Sequence, residues 1–277
     1  MAFSSGLALG GVLKTICLCN QKGGVGKTTT CFHLADAARR AGLRVLVVDM
    51  DPQGNITRAL SHDELSEDAP SMPQVLSYRT PHTMPAVIVA GEWPGVDVAP
   101  TVGDSLAVVR DELLLRGQRS EQRLADALKD VDRSAYDLAL IDCPPAIDLL
   151  TQNSMTASDA ALIITHSRYF SITGLSRLLN TLSVVKKYYN PALAIAGIVV
   201  NQHEDVTTQG RYFADELRDL AAAERIPIYE PLVPKRVVIA DAAEGGHSLT
   251  EAKTREDRQL AEIYDSFVRL LMEGPTS

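Results

Sequence analysis

The chain of 277 residues carries 27 Lys and Arg against 35 Asp and Glu, a formal charge of −8, with 45% hydrophobic and 22% charged residues. That balance excludes a uniformly basic nucleic-acid binder and leaves room only for local basic patches. No apolar run reaches the roughly 18 residues of a membrane span, and the length fits one large α/β domain.

Met1 to Leu13 is apolar and glycine-rich without a basic start, and reads as a flexible extension (1–13) rather than a signal peptide. Thr15 to Asn20 is a short apolar β-type run; a glycine-rich turn and a helical stretch, Lys27 to Ala41, follow, and Gly42 ends the helix. Arg44 to Asp49 is a continuous β-branched run, the pattern of a parallel strand buried on both faces. Residues 61–95 change character, with Asp63, Glu64, Glu67 and Asp68 giving way to Pro70, Pro73, Pro81, Pro85 and Pro94, and predict a variable surface excursion.

Helical spacing recurs in Ser105 to Leu115, Ser120 to Val131, Asp148 to Ala157, Ile172 to Tyr189, Thr208 to Glu224 and Arg255 to Met272. Strand-like runs fall between them at Leu138 to Asp142, Ala160 to Thr165 and Ala194 to Val200, with a weaker one at Ile226 to Tyr229. The alternation predicts an α/β fold: a mostly parallel twisted sheet flanked by helices on both faces, one domain over 14–273, and a short tail, 274–277.

Lys22-Gly-Gly-Val-Gly-Lys-Thr-Thr29 lies between the first strand and the first helix. There, backbone N–H groups and the helix N-terminus cradle a polyphosphate. Gly23, Gly24 and Gly26 let the backbone approach the phosphates, Lys27 neutralises the β and γ oxygens, and the Thr28 hydroxyl suits Mg²⁺. The strict P-loop pattern fails at its first position, where Gln21 replaces glycine and an additional lysine, Lys22, follows. Asp49 and Asp51, spaced i, i+2 at a strand end, point to one side toward the phosphate crevice, and Asp142 ends an apolar run as a Mg²⁺-supporting carboxylate does. Cys17, Cys19 and Cys143 raise a metal or iron–sulfur site, but buried strand thiols account for the first two.

The loop resembles the deviant Walker A sequence of the ParA/MinD family of P-loop ATPases. Val47-Val-Asp-Met-Asp-Pro-Gln-Gly54 is similar to that family's second acidic motif, Leu140-Ile-Asp-Cys-Pro-Pro145 to its Walker B segment, and Tyr169 to Leu179 to the partition branch. The resemblance implies ATP and Mg²⁺ as cofactors and an ATP-bound homodimer in which Lys22 reaches the partner subunit's nucleotide. It further implies that Asp51 orients the attacking water, that Asp49 and Asp142 hold the magnesium shell with Thr28, and that Asn201, Gln202, Pro234 and Arg236 lie by the adenine. Asn201 equally suits a turn cap.

Partition-branch members bind nonspecific DNA in the ATP state and are released by a ParB-type protein, so the resemblance implies a cytoplasmic, nucleoid-associated switch that does not bind membrane. Lys186, Lys187, Arg211, Lys235 and Arg236 are the candidate DNA contacts. Where the branch usually carries a second basic residue after the proline, this chain has Val238. The alternative is a MinD-like membrane-cycling ATPase; the last helix, with Glu256, Asp257, Glu262 and Asp265, is too acidic for a basic membrane anchor.

Overall fold

The computed structural model describes residues 13–79, 82–117, 119–166, 172–204, 208–251 and 254–273. In chain order the elements are β1 (Lys14–Cys19), α1 (Lys27–Arg40), β2 (Val45–Asp49), α2 (Asn55–Leu60), α3 (Met72–Leu76), β3 (Val89–Ala90), β4 (Val96–Ala99) and α4 (Ser105–Arg116). After these come α5 (Arg123–Ala127), β5 (Leu138–Asp142), α6 (Leu149–Thr156), β6 (Ala160–His166), α7 (Ile172–Tyr188), β7 (Ala194–Asn201), α8 (Thr208–Ala223), α9 (Val237–Glu244) and α10 (Arg255–Glu273).

The strands form one seven-stranded sheet in the order β3-β4-β2-β5-β1-β6-β7. All pairs are parallel except β3 with β4. Strand residues alternate between two cores: Cys17, Cys19, Leu46, Val48 and Ile141 face the side covered by α4 to α8. Ile16, Leu18, Val45, Val47 and Leu140 face the side covered by α1, α9 and α10. With both faces covered, the central strands need apolar residues at every position, which is why they read as continuous runs.

Several expectations are corrected. Leu13, placed in the extension, is buried in the core, while residues 1–12 and 274–277 lie outside the described residues. The stretch 61–95 is more than a surface excursion. Met72, Val75, Leu76, Met84 and Val87 fill one core, and a capping box at Ser71 and Gln74 starts α3. The helix expected over Ser120 to Val131 is broken into 3₁₀ turns around α5, because Asn153 of α6 intrudes, accepting the Leu124 N–H at 3.1 Å and donating to the Ser120 carbonyl at 2.7 Å. Ile226 to Tyr229 makes one parallel bridge, Ile198 to Ile228, and no strand; Pro227 has no N–H for a ladder. The elements α2, α3, β3, β4 and α9 were not expected.

Candidate functional site

β1 lies inside the sheet between β5 and β6, and the chain leaves its C-terminal end at the edge where open α/β sheets bind ligands. Asn20 ties the turn to β6 by donating to the Ile164 carbonyl at 2.6 Å, and accepts the Lys22 N–H at 3.0 Å. Gly26 caps α1 in the left-handed region, φ 85°, and a Cβ there would lie 2.7 Å from Asn201 Nδ2, so glycine is required twice over. Lys27 is only 6% exposed, with Nζ donating to the Lys22 carbonyl at 3.4 Å. Lys22, Gly23 and Gly24 are exposed, Val25 is buried, and Thr28 and Thr29 are half-buried.

The three aspartates converge beside this loop. Asp49 and Asp142 are register partners on β2 and β5, both fully buried. Asp142 Oδ2 accepts the Thr28 hydroxyl at 2.7 Å, whereas Oδ1 is buried without a hydrogen-bond partner. Burial pushes the Asp142 carboxyl up to about 7, against the pull of the Thr28 hydroxyl and the Lys27 ammonium. Burial, with repulsion from Asp142, pushes Asp49 up to about 8, although the Asp51 N–H, the Thr57 N–H and the Thr57 hydroxyl all donate to it. Asp51 is raised by burial too, opposed by the Gln53 N–H and by Lys27.

An orphaned buried carboxylate oxygen beside a hydroxyl is a donor set that a hard divalent cation satisfies. Thr28 and Asp142 therefore fit a magnesium site and would be the residues that hold the ion there. Asp49 fits a supporting place behind them, because its oxygens are already taken by Asp51 and Thr57.

Next to the loop opens a cavity of about 240 Å³ lined by Gly26, Thr29, Asn201, Gln202, Pro234 and Arg236, with Tyr264 at its apolar wall. All four residues expected at the adenine thus line one space. The Asn201 Nδ2 is committed to the loop, donating to the Val25 carbonyl at 2.9 Å, the Gly26 carbonyl at 3.3 Å and the Thr30 hydroxyl at 2.9 Å. Its Oδ1 is buried and unpartnered. Pro234 is held by a parallel bridge to His203.

The DNA candidates are not brought together. Lys235 and Arg236 follow the C-terminal edge, paired with Glu204 at 3.0 Å and Glu256 at 2.6 Å. Lys186 and Lys187 end α7, which runs back from that edge over 17 residues, about 25 Å away. The Arg211 side chain lies outside the described residues, as does most of the Tyr169 to Leu179 motif's first half.

Sequence reading missed Thr57 and Thr101. Thr57 Oγ1 donates to Asp49 at 2.6 Å and accepts the Thr101 N–H at 2.9 Å, and the Thr101 hydroxyl donates to the Asp49 carbonyl at 2.6 Å. Thr57, three residues past Gly54, carried a faint signal from the acidic motif; Thr101 carried none. His166 and Tyr264 were also missed. The four cysteines are buried and free.

Residues 13–195 match the family described as AAA domain. The chain is 35% identical over 235 residues to the chromosome partitioning protein ParA of Caulobacter vibrioides, covering 84% of this chain and 85% of that one. It is 36% identical over 243 residues to the sporulation initiation inhibitor protein Soj of Bacillus subtilis, covering 84% and 88%. Among solved structures, it matches cobyrinic acid a,c-diamide synthase from Mycobacterium smegmatis with bound ADP and magnesium, at TM-score 0.76 and 29% identity over 93% of both chains.

Proposed function

The chain belongs to the ParA branch of the ParA/MinD family of Walker-type ATPases, and from that premise we propose that it is an ATP-driven dimerising switch for DNA partition. One observation carries the reading. Lys27, Thr28, Asp49, Asp51 and Asp142 meet at one loop, and Asp142 Oδ1 lacks a partner.

In this reading, the loop N–H groups and Lys27 bind the β- and γ-phosphates, and Thr28 with Asp142 holds Mg²⁺. The metal, when bound, neutralises charge developing on the phosphate oxygens. Asp51, tethered through its carboxylate to the Gln53 N–H, orients the attacking water. Lys22, exposed at the loop's tip, reaches the nucleotide of the partner in the ATP dimer and completes the charge set in trans. Hydrolysis is slow until an activating ParB-type protein settles that geometry. The base enters the cavity beside the loop.

ADP and magnesium in the mycobacterial neighbour support nucleotide and metal here. No helix among the described residues is long and apolar enough to cross a membrane. The apolar face of α10 supports a packing role over a membrane anchor, since Leu260, Tyr264, Phe267 and Leu271 are buried. The cytoplasm, on the nucleoid, is the place such a switch works.

The test is binding of the Asp51→Ala protein to random-sequence duplex DNA with ATP and with ADP across a salt series. ATP-dependent binding that weakens steeply with salt supports the switch. Absence of binding in both states removes the DNA reading and leaves an ATPase that cycles on another surface.

A further inference from the structure

Three consecutive carbonyls of the phosphate loop are gripped from one side. Asn201 holds those of Val25 and Gly26, and Gln202 Nε2 donates to the carbonyl of Gly24 at 3.3 Å. In a trans peptide the carbonyl and the following N–H point in opposite directions across one rigid plane. Holding the carbonyls of 24, 25 and 26 toward β7 therefore aims the N–H groups of Val25, Gly26 and Lys27 away from it. Those N–H groups are the phosphate cradle.

Gln202 is the unusual member of this pair. It stands one residue beyond β7 with φ 52°, a left-handed conformation uncommon for a residue with a long side chain. Its Oε1 accepts from Nε2 of His166 at 2.9 Å, which fixes that imidazole nitrogen as the protonated one. His166 is the last residue of β6, buried, and in register with Asn201. The carboxamide is thus anchored on one side and grips the loop on the other. The backbone strain is maintained where it brings the amide within reach of Gly24.

We propose that Gln202 is a positioning residue of the phosphate loop: anchored on His166, it ties down the Gly24 carbonyl and sets the peptide plane that aims the Val25 N–H at bound polyphosphate. The proposal rests on the reading of this loop as the nucleotide site. It is distinct from a base contact, because the group Gln202 would act through is backbone on the phosphate side of the loop.

The test uses the full chain and two variants that separate backbone from side chain. Gln202→Gly accepts φ 52° without strain and removes the amide. Gln202→Asn also tolerates that conformation, but its side chain is one methylene too short to span from His166 to Gly24. Titration with a fluorescent ATP analogue is expected to show affinity lowered about three- to tenfold in both, the worth of one hydrogen bond. Thermal melting without nucleotide is expected to leave Gln202→Gly no less stable than the unaltered chain. A purely structural role would move melting temperature and affinity down together, and that result overturns the proposal. Unchanged affinity in both variants overturns it as well. If the folded, unaltered chain fails to bind the analogue, the nucleotide reading falls and this inference with it.

Discussion

At the C-terminal edge of β1, β2 and β5, charge is buried and each group has a fixed partner; at Lys235 and Arg236, charge is exposed and its partners are exchangeable. Asp142 and Asp49 sit at 0% exposure and Lys27 at 6%. Lys235 and Arg236 are 56% and 51% exposed in side-chain pairs with Glu204 and Glu256. Burial makes a misplaced charge costly, so the first region tolerates few residue types; solvent makes each charge cheap, so the second tolerates many. The proposed chemistry sits where substitution is penalised, and the proposed DNA contacts at Lys235 and Arg236 sit where it is not.

The largest break in that comparison is Lys27→Ala. It removes the one ammonium held inside the loop and leaves the buried carboxylates facing phosphate uncompensated. ATP affinity is expected to fall by at least about a hundredfold, as for other buried charge partners. Titration with a fluorescent ATP analogue checks this, and a loss smaller than tenfold would mean that the backbone cradle alone binds the triphosphate.

Asp51→Ala comes next and splits binding from chemistry. Its carboxylate touches the Gln53 N–H rather than the loop backbone, so ATP affinity is expected within about threefold of normal while the hydrolysis rate drops by about 10² or more. Phosphate release measured with saturating ATP decides the point; a near-normal rate takes Asp51 out of the mechanism. In the same region Lys22→Ala is expected to lower the ATP-dependent dimer fraction in light scattering more than it lowers nucleotide affinity. An unchanged dimer fraction excludes a role across the interface.

How much of this was legible from residues alone follows the same division. The central strands were legible because burial on both faces demands apolar side chains at every position, and β2 and β5 appear within a residue of their expected bounds. That the loop and the aspartates share one edge was legible because Asp49 and Asp142 each end an apolar strand run and Gly26 opens the helix that follows β1. Thr57 and Thr101 were not: their role comes from a contact between residues 44 apart in sequence, made only when α2 packs beside β4. The short strands β3 and β4 lack the length for periodicity to register, and the helix expected over Ser120 to Val131 is interrupted by the side chain of Asn153. Gln202 was singled out as a base contact, whereas its left-handed backbone and its grip on Gly24 are visible only in three dimensions.

Asp142→Asn sharpens the comparison from the side of stability. The native carboxyl is raised to about 7, above the ordinary 3.8, so the folded state holds a proton through that window that the unfolded state has already released. Stability from this group is therefore present at low pH and lost as pH rises from about 4 through 7. Removing the charge is expected to stabilise the metal-free protein by about 1–3 kcal/mol at pH 8, with the gain vanishing near pH 4. Chemical denaturation at the two pH values measures it, and equal destabilisation at both would show that Asp142 is not strained by burial. Loss of magnesium-dependent hydrolysis in the same variant would mark it as a residue kept for function at the expense of the fold.

The smallest effects belong to the exposed basic residues, and they test which of the two pairs, Lys235 with Arg236 or Lys186 with Lys187, contributes to the proposed DNA contact. Lys235 and Arg236 line the cavity beside the phosphate loop, whereas Lys186 and Lys187 end α7 on the opposite edge of the sheet. Each lost phosphate contact is expected to weaken DNA binding only a few-fold and to reduce the steepness of its dependence on salt by about one. Substituting Lys235 and Arg236 by Ala together also leaves Glu204 and Glu256 without those partners, adding repulsion of the duplex. For that pair the affinity loss should therefore exceed what the change in salt slope accounts for. For Lys186 and Lys187, where Lys187 lies over the Tyr188 ring at 4.8 Å, loss and slope should move in proportion. Salt titrations of both double variants with ATP read the two quantities separately. A flattened slope in only one of them assigns the DNA face to that pair of residues, and unchanged slopes in both place it outside these four residues.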